Sequence, residues 1–154
     1  MVVEPAVPED LPDILDLQRR AYMSEAALYP EATLPAMTQT LKELRAEAER
    51  QTLLKGTLDG RLIASVRGFV DEAGVGQIGR LIVDPFEQGR GYGTRLLHSM
   101  ESMLPVQTLE LFTGERSTPN LRLYERLGYV CDRSEHHGGV TLIFLRKEKA
   151  TVTA

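Results

Sequence analysis

Apolar residues change their spacing several times along this sequence, and each change marks an element. Val2 to Val7 is a short apolar stretch suited to an edge strand, where Pro5 is tolerated. Pro8-Glu9-Asp10 opens a helix with acidic residues at its positive end. Leu11, Ile14, Leu15 and Ala21 then recur at helical steps as far as Tyr22. Met23 to Leu34 has no clean period and carries Pro30, which predicts a loop or a broken helix. Pro35 fits the first turn of a second helix, with Met37, Leu41, Leu44 and Ala48 as its buried stripe. The spacing then shortens to the alternation of strands. Thr52 to Leu58 and Leu62 to Val70 flank Asp59-Gly60, a strong hairpin signal. A turn at Asp71 to Gly76 leads to a third strand, Gln77 to Val83. Asp84-Pro85 ends it, because proline has no N–H for the ladder.

The helical period returns at Leu96, Leu97 and Met100 and stops near Leu104-Pro105. Thr108 to Thr113 alternates again. Ser117-Thr118-Pro119 starts another helix, with a hydroxyl cap and a proline in the first turn. It runs through Leu123, Tyr124 and Leu127 to Gly128, a left-handed C-cap. Tyr129 to Arg133 and Val140 to Arg146 are the last strands, joined by Ser134 to Gly139. Lys147 to Ala154 reads as a frayed tail. No linker or repeat interrupts the chain, so residues 1–147 form one domain and 148–154 the tail. The order of elements predicts an α+β (α/β/α-like) fold: a mixed, mostly antiparallel sheet of six to seven strands, with about four helices on both faces.

At 154 residues the chain has length for a sizeable core, and 42% hydrophobic with 26% charged residues is ordinary for a globular protein. A formal net charge of −4 without a basic stripe argues against a nucleic-acid partner. A lone cysteine, Cys131, excludes an internal disulfide and suits a reducing cytoplasm. No run reaches transmembrane length and the start lacks an export signal, so neither a membrane partner nor a secreted location is expected. His136-His137 offers no metal pair, and no metal is expected.

The chemistry gathers at Arg80 to Leu97, which reads as strand, glycine loop, helix. That layout presents backbone N–H groups to a phosphate at a helix N-terminus. Gly89, Gly91 and Gly93 alternate, which fits neither a P-loop, lacking Gly-Lys-Ser/Thr, nor the dinucleotide spacing G-x-G-x-x-G. Val83-Asp84-Pro85 followed by Gln88-Gly89-Arg90-Gly91-Tyr92-Gly93, and downstream Asn120-Leu121-Arg122-Leu123-Tyr124 with Gly128-Tyr129, together resemble the two motifs of the GNAT superfamily of N-acetyltransferases. The element order agrees over nearly the whole chain.

The resemblance implies the GNAT acyl-CoA N-acyltransferase fold, with acetyl-CoA as co-substrate. It implies that the strand before the loop bulges and splays, so that backbone at Leu81, Ile82 and Val83 binds the pantetheine arm and polarises the thioester carbonyl. Gln88, Gly89, Arg90, Gly91, Tyr92, Gly93 and Thr94 would hold the pyrophosphate, with Arg90 equally readable as a solvated loop residue. Asn120 would contact the pantetheine arm, and Tyr124 would protonate the departing thiolate as general acid. Ser117 stands where some relatives carry another asparagine.

The general base is not legible. Relatives carry a glutamate at the places that fall on Gln77 and Gly79, and neither residue titrates. Glu72, Glu25, His136 and His137 are substitutes, and each reads equally well as a surface residue. Tyr22, Tyr29, Glu25 and Glu31 could line the acceptor pocket, while Arg133 and the histidines could meet an acidic acceptor. The expected function is transfer of an acetyl group to a primary amine, on a small molecule or a protein, by direct attack. A non-catalytic acyl-CoA-binding module is the alternative. The resemblance also allows a homodimer.

Overall fold

The computed structural model describes residues 1–150. Seven strands form one sheet: β1 (Val2–Pro5), β2 (Thr52–Leu58), β3 (Arg61–Val70), β4 (Gly76–Val83), β5 (Thr108–Gly114), β6 (Val130–His137) and β7 (Val140–Glu148). Their order is β1-β2-β3-β4-β5-β7-β6, and only β4 and β5 run parallel. Asp59 and Gly60 both have positive φ (52° and 77°) in the β2–β3 turn, as an Asp-Gly hairpin requires.

Six α-helices accompany the sheet: α1 (Leu11–Ala21), α2 (Met23–Leu28), α3 (Pro35–Thr38), α4 (Leu41–Ala48), α5 (Tyr92–Met103) and α6 (Thr118–Arg126). Alternation along β2 shows why both faces are covered. Leu53 packs with Leu11, Ile14, Leu15 and Leu44 of α1 and α4. Leu54, one residue on, packs with Leu96, Leu97 and Met100 of α5 and with Tyr124 and Tyr129. None of the helices in the described residues is long and apolar enough to cross a membrane.

Four expectations need correcting. The helix expected from Pro35 through Ala48 is two helices, because the side chain of Thr40 accepts from the Glu43 N–H while Glu43 reaches back to Thr40, a capping box that starts a new helix. The segment Ser134 to Gly139 is mostly strand: β6 continues to His137, and the turn is only Gly138-Gly139, both at positive φ. Ser117 does not cap α6, because its hydroxyl is used elsewhere. The last strand outruns Arg146: β7 pairs with β5 through Glu148, and the Lys149 N–H bonds the Gln107 carbonyl. Residues 151–154 of the expected tail lie outside the described residues.

Candidate active site

The sheet is split in the middle. β4 and β5 pair only at Gly76–Leu109 and Gln77–Glu110, and beyond that the two strands part. Against β3, two steps from Ser65 to Arg67 face three steps from Ile82 to Gly79, so Arg80-Leu81 form a bulge on β4. Arg80 has φ +50, rare for a residue with a Cβ. The bulge and splay expected for this strand are therefore present, and Leu81, Ile82 and Val83 follow the bulge along the split.

The closed end of the split is pinned by charge. Glu110, almost wholly buried, accepts from Gln77 Nε2 at 3.1 Å and pairs with Arg133 at 3.0 Å and Arg146 at 2.7 Å. Burial alone would raise its pKa, but bonds from Arg133, Arg146 and Gln77 outweigh it and hold the carboxyl down to about 2. Gln77, standing where a catalytic glutamate was sought, instead bridges Glu110 and Asp71. Arg133 belongs to this network and stacks 4.0 Å from the Phe144 ring centre.

The open end leads to the glycine loop. Asp84 is buried, pairs with Arg20 at 3.0 Å and accepts from the Phe86 N–H, which fixes the turn after β4. Gln88 donates to the Val83 carbonyl at 3.3 Å. Gly89 and Gly91 have φ of +79° and +80°, so the backbone itself requires glycine there. Gly93 lies inside α5, and a Cβ there would touch only Val83 at 3.6 Å, an ordinary contact. No side chain caps α5 at Gly91. Its first-turn N–H groups, including those of Tyr92, Gly93 and Thr94, are an open seat for an anion. Arg90 is exposed and pairs with Glu87 at 3.3 Å, as a solvated loop arginine does.

Opposite the loop, α6 brings Tyr124 and Asn120 to the split. Tyr124 is buried, edge-on to Tyr129 at 6.1 Å between centres. Its hydroxyl has no hydrogen-bond partner among the described residues. Burial first, then the nearby Tyr22 and Glu25, push its pKa above that of an ordinary phenol. It is thus a protonated donor at neutral pH.

α2 closes over this side, and sequence reasoning did not foresee its anchors. Glu25 Oε1 accepts from Ser117 Oγ at 2.6 Å and from Asn120 Nδ2 at 3.4 Å. Asn120 also bonds Thr113 Oγ1 at 3.4 Å. Tyr29 is buried and does not line a pocket: its hydroxyl accepts the Arg116 N–H at 2.9 Å, and its ring fills the space where a Gly114 side chain would stand. Only the missing Cβ of Gly114, inside an apolar strand, hinted at such close packing.

Of the candidate bases, only Glu25 lies at Tyr124. Glu72 is exposed on the β3–β4 turn, at the closed end of the split. His136 bonds Thr141 and His137 bonds Glu135, both on the exposed β6–β7 hairpin. Glu31 is exposed, and Tyr22 lies half-buried under Arg80, 5.7 Å from the guanidinium to the ring centre. Anion seat, unpaired strand edge, buried phenol and carboxylate thus gather around the β4–β5 split, an arrangement suited to a long phosphorylated acyl carrier and a nucleophile from the other side.

The model of the acetyltransferase (GNAT) family matches residues 11–129. The chain belongs to this family. No curated protein matches it. The GNAT fold is shared with solved structures at low identity. The ribosomal-protein-S18-alanine N-acetyltransferase of Escherichia coli superposes with a TM-score of 0.80 at 20% identity, over 99% of this chain and 96% of that one. PaiA N-acetyltransferase of Thermoplasma acidophilum, in complex with coenzyme A, gives 0.78 at 15%, over 97% and 100%. YncA of Salmonella typhimurium, a putative acetyltransferase with its cofactor acetyl-CoA, gives 0.76 at 16%, over 100% and 96%. This GNAT domain is thus an acyltransferase domain.

Proposed function

We propose that this GNAT chain moves the acetyl group of acetyl-CoA to a primary amine by direct attack. The observation that carries the reading is the β4–β5 split, which runs from the uncapped start of α5 to the unpartnered hydroxyl of Tyr124. Coenzyme A bound to two structural neighbours supports the choice of donor. The N–H groups from Gln88 to Thr94 hold the pyrophosphate, and Arg90 acts mainly by charge. Backbone at Leu81, Ile82 and Val83 and the amide of Asn120 hold the pantetheine arm, and a β4 N–H steadies the developing oxyanion. The amine nitrogen attacks the thioester carbon, and the C–S bond breaks. The amine proton passes to Glu25, directly or through water, and Tyr124 protonates the leaving thiolate. A raised phenol pKa makes donation harder in water, but the thiolate forms in the same desolvated cleft, where it too is the stronger base. Proton return from Glu25 through solvent resets both groups.

Glu25 supplies from α2 the carboxylate that β4 lacks, which favours catalysis over a mere acyl-CoA-binding module. The single cysteine fits a reducing, cytoplasmic setting. Incubation of the pure protein with acetyl-CoA and a panel of amines tests the reading by release of free thiol and by mass increase of the amine. Turnover that is lost in Tyr124→Phe supports it. Tight CoA binding without turnover on any amine would leave the binding module, and purification with a nucleotide in place of CoA would overturn the assignment of the loop.

A further inference from the structure

Arg80 stands at the bulge, on the acceptor side of the split, in a left-handed conformation that costs a residue with a Cβ some stability. Its half-buried guanidinium stacks on Tyr22, the last turn before α2. Among the described residues it has no carboxylate within ion-pair distance. The other arginines around the sheet's polar networks are all matched: Arg20 with Asp84, Arg61 with Glu87, Arg133 and Arg146 with Glu110.

The neighbouring charge is also positive. Arg67 of β3 is buried on the same face, bonded to Gln18 and to Gln39 Oε1 and paired with Glu47 at 2.9 Å. Its Nε has no partner among the described residues. Burial lowers Arg67 to about 10; Glu47 opposes the fall, and the charge of Arg80 adds to it. The two guanidiniums therefore act on each other, and the carboxylate of Glu47 is paired with Arg67 alone among the described residues. Such a place attracts an anion.

The anion is not the pyrophosphate. From Arg80 to Val83 the strand alone covers about 10 Å, with the turn and loop still to come. The stack on Tyr22 also puts the guanidinium on the α1 face, opposite α5. Three residues after Tyr22, Glu25 keeps Oε2 free of hydrogen bonds among the described residues, since Ser117 and Asn120 both use Oε1. A cationic head thus has a partner at Glu25 and an anionic one at Arg80. α2, pinned at Glu25 and at Tyr29, covers this side and favours a small molecule.

We infer that Arg80 binds a carboxylate of the acceptor, so that the acceptor is a small molecule carrying amine and carboxylate together, as an amino acid does. The planar fork of arginine suits two parallel bonds to such a group. This inference rests on the acetyltransferase reading above, and the two fail separately.

The experiment measures thiol release with acetyl-CoA for free amino acids, each beside its carboxamide and its decarboxylated amine. The wild type should prefer at least one free acid by about ten- to a hundredfold in kcat/KM over both partners, the range of a charge-assisted bond. R80Q should shrink that ratio towards one through the KM of the acid, R80K should keep part of it, and the KM for acetyl-CoA should hold. Equal use of acid and amide by the wild type overturns the inference while leaving the enzyme standing. So does an R80Q protein that keeps the ratio, or one whose only change is a higher KM for acetyl-CoA. Thiol release with none of these compounds overturns the inference, while the wider amine panel above decides the enzyme reading. If R80Q does not fold, the wild-type ratio and R80K decide.

Discussion

Replacing Glu110 by glutamine removes one charge from the closed end of the split and keeps the shape of the side chain. A carboxyl held at about 2 instead of the ordinary 4.5 is favoured as its anion by about 3 kcal/mol, at about 1.4 kcal/mol per tenfold step. Its partners Arg133 and Arg146 are 40% and 43% exposed, so water and salt screen part of this. The expected loss is about 2 kcal/mol, or a fall of about 4–8 °C in Tm for a chain of this size. The sign follows from linkage. A depressed folded-state pKa gives stability that is complete above the unfolded value near 4.5 and disappears as pH falls towards about 2. Urea titrations of wild type and E110Q should therefore differ most near neutral pH, converge below pH 4.5, and nearly coincide at about pH 2. A gap that is equally wide at pH 3 and pH 7, or absent at pH 7, would refute the electrostatic account. Because Glu110 meets Gln77 at the last β4–β5 pair, the same variant should also loosen the apex and raise the KM for acetyl-CoA.

Three further substitutions probe the open side. Tyr124→Phe should lower kcat by about a hundredfold or more at nearly constant KM for acetyl-CoA, the usual worth of a positioned acid; steady-state kinetics on a substrate with a poor thiol leaving group should show the larger loss. Glu25→Gln should lower kcat by about a hundredfold at nearly constant KM for acetyl-CoA, while an unchanged kcat would assign the base elsewhere. Gly114→Ala should destabilise the protein by about 1–3 kcal/mol, since its Cβ would lie 2.1 Å from the Tyr29 hydroxyl. Thermal unfolding measures that loss, and the double variant with Tyr29→Phe should recover part of it.

How much of this was legible depends on whether a feature is local. The glycine loop and α6 announce themselves because their constraints are carried by neighbours in sequence: positive φ at Gly89 and Gly91, a proline in the first turn and Gly128 at the end of α6. The hairpin at Asp59-Gly60 is legible for the same reason. The break at Thr40 was carried by a capping box, T-L-K-E, that a continuous apolar stripe concealed. The role of Gln77 could not be read, because its partner Glu110 is 33 residues away and belongs to a parallel strand. Likewise Glu25 finds Ser117 across 92 residues, and Tyr29 finds Arg116 across 87. Nothing in the local pattern of Met23 to Leu34, which lacks a period, distinguishes a loop from a stretch that carries the helix α2.

That distance has a mechanical consequence for the proposed chemistry. A base on β4 would sit on the rigid sheet, whatever the acceptor side does. With Glu25 as base, the carboxylate rides on a six-residue helix held by the Glu25–Ser117 bond, the Tyr29 clamp and the bond from Arg116 to the Leu28 carbonyl. Cutting Ser117 Oγ away leaves Asn120 at 3.4 Å as the only donor to that oxygen among the described residues. Ser117→Ala should therefore act on the base through its position alone. In the proposed mechanism kcat falls while Tyr124 is untouched and the KM for acetyl-CoA holds. A structural role for Ser117 would lower the melting temperature and leave the kcat of the folded protein unchanged.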